Sequence, residues 1–191
     1  VTTAALTDVR ATQLEVVDRI GWWALASAVA TLQVSIAAAQ IAVTVAALAW
    51  VWRAAITGTV ELPDIAWPLG AYAALTLLSA ALSRNPAVSV PDTKQLVLFL
   101  LVPIVFVFGR GARARTLATI AISVGAASAL VGIVQYGVLN YDNLGRRPQG
   151  TLSHWMTYSG TLMLIICSAA ARLLFDGRDR VWAALVMPAL I

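Results

Sequence analysis

The sequence predicts an all-α fold, a polytopic transmembrane helical bundle of about six to seven spans that forms a single domain over 1–191. Hydrophobic residues make up 60% of the chain and charged residues only 12%, whereas soluble domains are about 45–50% apolar. Long runs contain no Asp, Glu, Lys or Arg, and most approach the roughly 20 residues that a spanning helix needs. These runs are solidly apolar, without the alternation typical of a membrane β-barrel.

The first apolar run, 20–52, is long enough for two spans and, with Arg53, makes up the segment 20–53. Gln33-Val34-Ser35 near its middle supplies the polar break, so we predict a helical hairpin there. Single spans are expected at 65–83, 95–109, 116–139 and 155–172. Within the third of these, Gly125, Ala129 and Gly132 offer a small-residue face for close helix packing.

The last apolar run, 181–191, is too short to cross a bilayer. It predicts a truncated span. We therefore expect this chain to be the N-terminal part of a longer membrane protein.

The distribution of charge predicts the orientation, because cytoplasmic loops hold an excess of Lys and Arg. With the hairpin, nine of the 13 basic residues share one side, which we assign to the cytoplasm: Arg10, Arg19, Arg53, Arg110, Arg113, Arg115, Arg172, Arg178 and Arg180. The other four, Arg84, Lys94, Arg146 and Arg147, face outward. If the first run were one long helix, Arg10 and Arg19 would change sides, but the Arg146–Arg147 pair would still face outward.

Two arginines on the side where arginine is scarce are the strongest indication of function. Arg146 and Arg147 lie between two long apolar spans, and the planar guanidinium can grip phosphate oxygens two at a time. We interpret them as contacts to the pyrophosphate head of a lipid-linked substrate. The alternative is that they only anchor a span end or bind ordinary anionic lipid.

Other outward residues could support that contact: Arg84, Lys94, Gly150, Thr151 and His154. Gly150 would let the backbone approach a ligand closely. Amides near Thr151, at the start of the next helix, would add anion donors. His154 could exchange a proton or donate to phosphate, although a structural hydrogen bond at a helix start is equally compatible with its position.

Several function classes are disfavoured. One histidine and one cysteine cannot build a familiar zinc site or a disulfide framework, so we expect no metal and no cofactor. The basic residues lie in short loops, which indicates membrane topology and lipid contact, with no nucleic acid as partner. Spans without acids or bases also argue against an ion-coupled pump.

Three stretches carry a family likeness: Ser35-Ile36-Ala37-Ala38-Ala39-Gln40, Ser83-Arg84-Asn85-Pro86 and Arg147-Pro148-Gln149-Gly150-Thr151-Leu152-Ser153-His154. Together with the order of the spans, they resemble the bacterial O-antigen ligase and O-antigen polymerase family. The third stretch is similar to that family's Arg, Gly-Thr-Phe and His-Pro-Asn signature. Here Leu152 replaces the aromatic residue, and Trp155-Met156 stands where Pro-Asn is common.

The resemblance implies a metal-independent, inverting glycosyltransferase in the bacterial inner membrane. Such an enzyme, a ligase or a polysaccharide polymerase, transfers a glycan from an undecaprenyl-pyrophosphate carrier to a hydroxyl of lipid A-core or of a growing polysaccharide at the periplasmic face. The family's catalytic histidine belongs to a later periplasmic loop, so the catalytic group is expected beyond Ile191 and the fragment alone should be inactive. The competing interpretation is a non-enzymatic lipid-carrier or polysaccharide transporter, or a membrane scaffold.

Overall fold

The computed structural model describes residues 2–141, 147–152, 154–175, 182, 186 and 187. Its regular elements are helical throughout these residues, which confirms the all-α prediction. A 3₁₀ segment, Thr93–Leu100, joins the fourth helix to the fifth. The α-helices are α1 (Thr2–Thr31), α2 (Ile36–Thr57), α3 (Ala66–Ala81), α4 (Pro86–Asp92), α5 (Leu101–Phe108), α6 (Ala112–Gly137) and α7 (Trp155–Phe175).

Four helical stretches in the described chain are long and apolar enough to cross a membrane: α2, the stretch Pro86–Phe108, α6 and α7. The chain is therefore a helical membrane protein, but this finding does not confirm the predicted six to seven spans. α3 has only 16 residues, and α1 carries charged side chains along its first half. Most of the predicted truncated span at 181–191 lies outside the described residues.

A short turn joins α1 to α2 at the polar break in the first apolar run. The backbone amides of Val34 and Ser35 donate to the carbonyl of Thr31 at 2.9 and 2.8 Å. Ser35 Oγ accepts from the amide of Ala38 at 3.3 Å and so caps the start of α2. Backbone hydrogen bonds therefore close the turn after α1, and a polar side chain caps the start of α2.

The described chain divides into two compact units. The first combines 1–25 with 43–110, and Val17, Ile104 and Phe108 are almost fully buried within it. Gly21 allows the ring of Phe108 to approach closely, since a Cβ at residue 21 would lie 2.3 Å from the ring. A glycine on α1 thus fixes how the end of α5 packs.

An ion-pair network also holds the first unit together. Arg53 on α2 donates from Nε to Asp18 Oδ1 at 3.0 Å and from Nη1 to Glu61 Oε1 at 2.9 Å. Arg110 Nη2 donates to Glu61 Oε2 at 2.7 Å. The hydrogen bond from Arg53, with the charges of both arginines, lowers the pKa of the Glu61 carboxyl below its usual value.

The second unit combines 26–42 with 111–191. Here α6 and α7 pack against each other around Ile122, Ala126, Ala129, Ile165 and Ala169. The contacts place the start of α7 beside the last third of α6 and the end of α7 beside its start, so the two helices are antiparallel.

The predicted small-residue face of α6 is confirmed. Gly125, Ala129 and Gly132 are all buried. A Cβ at residue 125 would meet the side chain of Ile165 at 2.5 Å, and one at residue 132 would meet Tyr158 Oη at 2.2 Å. The small residues on this face of α6 therefore permit its close contact with α7.

Candidate functional site

Arg147 is exposed and begins the turn, 147–152, that leads towards α7. Its guanidinium carbon Cζ is 4.5 Å from the ring centroid of Trp155, the first residue of that helix. A cation over an indole face is attracted by the ring's quadrupole, so Trp155 orients the Arg147 guanidinium beside the start of α7. Its predicted partner Arg146 lies outside the described residues.

Gln135, two residues before the end of α6, holds the turn in place. Its side-chain oxygen Oε1 accepts from the amides of Gln149 and Gly150, each at 2.9 Å. Its amide nitrogen Nε2 donates to the carbonyl of Gly150 at 2.8 Å. One side chain thus satisfies three backbone groups of an irregular segment, as burial in a membrane protein requires.

Thr151 extends the same anchoring to two further segments. Its hydroxyl lies 3.0 Å from Ser128 Oγ on α6 and donates to the carbonyl of Gln33 in the α1–α2 turn. These bonds give Thr151 a structural role in joining α6, the 147–152 turn and the α1–α2 turn. Its predicted contact with substrate remains a prediction.

Gly150 has the left-handed backbone conformation, with φ of 58°. It is buried, and a Cβ added there would lie 2.2 Å from Tyr158 Cε2. The close approach that a glycine was expected to provide is therefore made by a side chain of α7. Tyr158 in turn donates its hydroxyl to the carbonyl of Ser128 at 3.1 Å.

His154 immediately precedes α7 and is exposed. Its carbonyl accepts from the amide of Tyr158 at 3.1 Å. Its ring stacks against Trp155, with centroids 6.2 Å apart and planes inclined by 13°. The structure therefore brings Arg147 and His154 to the same indole ring, at the start of a 21-residue helix.

The remaining predicted supports belong to the other unit. Arg84 lies in the turn between α3 and α4, and Lys94 lies within the 3₁₀ segment that continues α4. Both are exposed. Because they belong to the first unit and Arg147 to the second, their joint contact with one substrate stays a prediction.

Two polar residues at the centre of the second unit were not predicted to belong to the site. Ser128 is 2% exposed and Gln33 is 4% exposed, and within the described chain Gln33 Oε1 has no hydrogen-bond partner. Both were visible in the sequence as polar interruptions of apolar runs. The register between α6 and α7, which sets their partners, was not.

Comparison with known proteins finds no match among family models, curated proteins or solved structures. The resemblance to O-antigen ligases therefore depends on the quoted residues of this chain alone. Any functional conclusion must be drawn from the geometry of the site.

Proposed function

We propose that this chain is part of a membrane glycosyltransferase of the O-antigen ligase type, located in the bacterial inner membrane and crossing it about six to seven times. In this proposal Arg147, with Arg146 beside it in the sequence, binds the pyrophosphate of an undecaprenyl-linked glycan at the periplasmic face. The acceptor is a hydroxyl of lipid A-core or of a growing polysaccharide.

The position of Arg147 is the observation that supports the proposal best. A cation oriented by Trp155 at the start of α7 lies where the head of a lipid carrier would lie, since tryptophan concentrates at the membrane interface. The turn that carries it is fixed by Gln135, so the guanidinium is presented without further ordering of the backbone. Prior ordering of this kind lowers the entropic cost of binding.

The proposed reaction is substitution at the anomeric carbon of the carrier-linked sugar. The acceptor oxygen bonds to that carbon from one side, and the bond to the pyrophosphate oxygen breaks on the other, which inverts the configuration. The acceptor proton passes to a base, and polyprenyl pyrophosphate leaves as an anion. Arginine stabilises that leaving group electrostatically as its negative charge develops.

The direct test is donor binding by the chain in lipid nanodiscs. A short-chain polyprenyl pyrophosphate serves as the probe, and its dissociation constant is measured for the wild type and for Arg147→Ala. We expect a loss of about tenfold or more, because a hydrogen bond to a charged group is worth about 1.5–3 kcal/mol. Arg19→Ala, which removes an exposed arginine from α1, is the matched control and should bind as the wild type does.

Donor binding that is equal in Arg147→Ala and the wild type would refute the assignment of Arg147. Transfer is measured separately, as release of polyprenyl pyrophosphate from a carrier-linked glycan by the protein that contains this chain. If donor binding depends on Arg147 but no glycan is transferred to any acceptor, the enzyme interpretation would be wrong. The lipid-carrier transporter would then be the favoured interpretation.

A further inference from the structure

A basic pocket lies at the end of the second unit opposite Arg147, where α6 begins and α7 ends. It has a volume of about 640 Å³. Its lining residues are Gly111, Ala112, Arg115, Thr116, Thr119 and Arg172. Two arginines from two different helices therefore line one pocket.

Contacts within the unit fix Arg172 at this pocket. Its Nη1 donates to Thr119 Oγ1 at 2.7 Å, and its Cζ lies 5.2 Å from the ring centroid of Trp182. The hydroxyl of Thr119 in turn donates to the carbonyl of Arg115 at 2.9 Å. The guanidinium is thus held between α6 and an aromatic ring.

The pocket lies at the ends of two helices that are long and apolar enough to cross a membrane. Arg115 and Thr119 belong to the first two turns of α6, and Arg172 belongs to the last turn of α7. Both helices are apolar enough to cross a membrane, so their adjoining ends reach the interfacial region. A tryptophan beside Arg172 fits the same depth.

We infer that this pocket binds the phosphate group of an anionic membrane lipid, separately from the outward site around Arg147. Guanidinium groups match the geometry of phosphate oxygens, and basic pockets between membrane helices are typical headgroup sites. The pocket is large enough for a headgroup together with its phosphate, since ligand pockets commonly measure about 300–1,000 Å³.

The inference is tested by lipid retention. The chain is purified in detergent, phosphatidylglycerol or phosphatidylcholine is added, and the dissociation constant of the bound lipid is measured by native mass spectrometry. The wild type should retain phosphatidylglycerol in preference to phosphatidylcholine. Arg115→Gln should weaken phosphatidylglycerol binding by about tenfold or more relative to Arg19→Gln. Both variants remove one positive charge from an exposed site, so general attraction of the lipid changes equally.

Arg172→Lys provides a second variant, which keeps the positive charge but removes the planar guanidinium that can bind two phosphate oxygens at once. It should also weaken phosphatidylglycerol binding, while polyprenyl-pyrophosphate binding, which the proposed function assigns to Arg147, should stay at the wild-type value. Loss of lipid binding without loss of donor binding separates this inference from the proposed function.

If Arg115→Gln and Arg19→Gln weakened phosphatidylglycerol binding equally, the lipid-binding role of the pocket would be wrong. The result would show only nonspecific electrostatic attraction. Glycerol 3-phosphate is tested as the soluble source of the same chemistry. If it displaced the lipid with equal affinity, the assignment to a membrane lipid would be wrong.

Discussion

Tyr158 lies between two glycines, and this arrangement gives a double-mutant test of the second unit. A Cβ at residue 132 would lie 2.2 Å from Tyr158 Oη, but 3.0 and 3.3 Å from ring atoms Cζ and Cε1. A Cβ at residue 150 would instead meet the ring itself, at 2.2, 2.7 and 2.8 Å from Cε2, Cδ2 and Cζ. Removing the phenolic oxygen should therefore relieve the first overlap and not the second.

The expected magnitudes follow from these distances. Gly132→Ala adds overpacking of about 1–3 kcal/mol and displaces the Tyr158 hydroxyl from Ser128, which costs about 1 kcal/mol. Alanine in a helix offsets about 0.5–1 kcal/mol of this. We expect a net loss of about 2 kcal/mol in the wild type, and almost none in the Tyr158→Phe background.

Gly150→Ala should behave differently. The left-handed backbone costs alanine about 1–2 kcal/mol, and the overlap with the ring adds about 1–3 kcal/mol in either background. We therefore expect a loss of about 3 kcal/mol with Tyr158 or with Phe at this position, and a coupling energy below about 0.5 kcal/mol.

Unfolding in mixed dodecylmaltoside and SDS micelles, followed by circular dichroism, measures all five variants: three single and two double. A coupling of about 2 kcal/mol between residues 132 and 158, without coupling between 150 and 158, is the expected pattern. If Tyr158→Phe rescued both alanines or neither, the position of Tyr158 between α6 and the turn would be wrong.

Two further predictions concern single side chains. Gln135→Met should destabilise the second unit by about 1–3 kcal/mol, because it leaves backbone groups of Gln149 and Gly150 unsatisfied, and it should weaken polyprenyl-pyrophosphate binding; unchanged unfolding would contradict the bonds to Gln135. For Glu61, the pKa is lower in the folded chain, so its stabilisation is complete above the unfolded pKa of about 4.3 and is lost as pH falls through the folded pKa. Glu61→Gln should lower the free energy of unfolding at neutral pH and reduce its fall at acid pH. If the fall at acid pH were unaltered, Arg53 and Arg110 would not bind this carboxylate.

Hydropathy located the apolar stretches of the fold but not the ends of its helices. Asp92 and Lys94 precede the charge-free run that was expected to begin at 95, yet the helical stretch starts at Pro86 and passes through both residues. Both side chains are exposed and lie in the first half of that stretch, where the long side chain of a lysine can extend to the interface. Likewise, α1 continues through the charges that precede residue 20. A charged residue therefore ends an apolar run without ending the helix.

The candidate site could be located from the sequence, but the residues that hold its turn in place could not. Arg147 stood out because of its position against the charge bias, and this depended only on counting spans. The role of Gln135 requires knowing that the 147–152 turn folds back onto the last turns of α6. Glutamine, serine and threonine within an apolar run indicate internal hydrogen bonds, but composition does not tell which backbone group each will meet.

The depth of the α1–α2 turn bears on the orientation on which the proposal depends. Gln33 is buried, and its Nε2 lies 3.2 Å from where a Cβ of Gly125 would be, near the middle of α6. The turn therefore lies inside the second unit, about 18 Å along α6 from its end at Gly137. Whether α1 and α2 cross the membrane completely or enter and return, the chain comes back to the side from which it started. The count of positive charges is the same in both cases, so both predict the same outward position for Arg147.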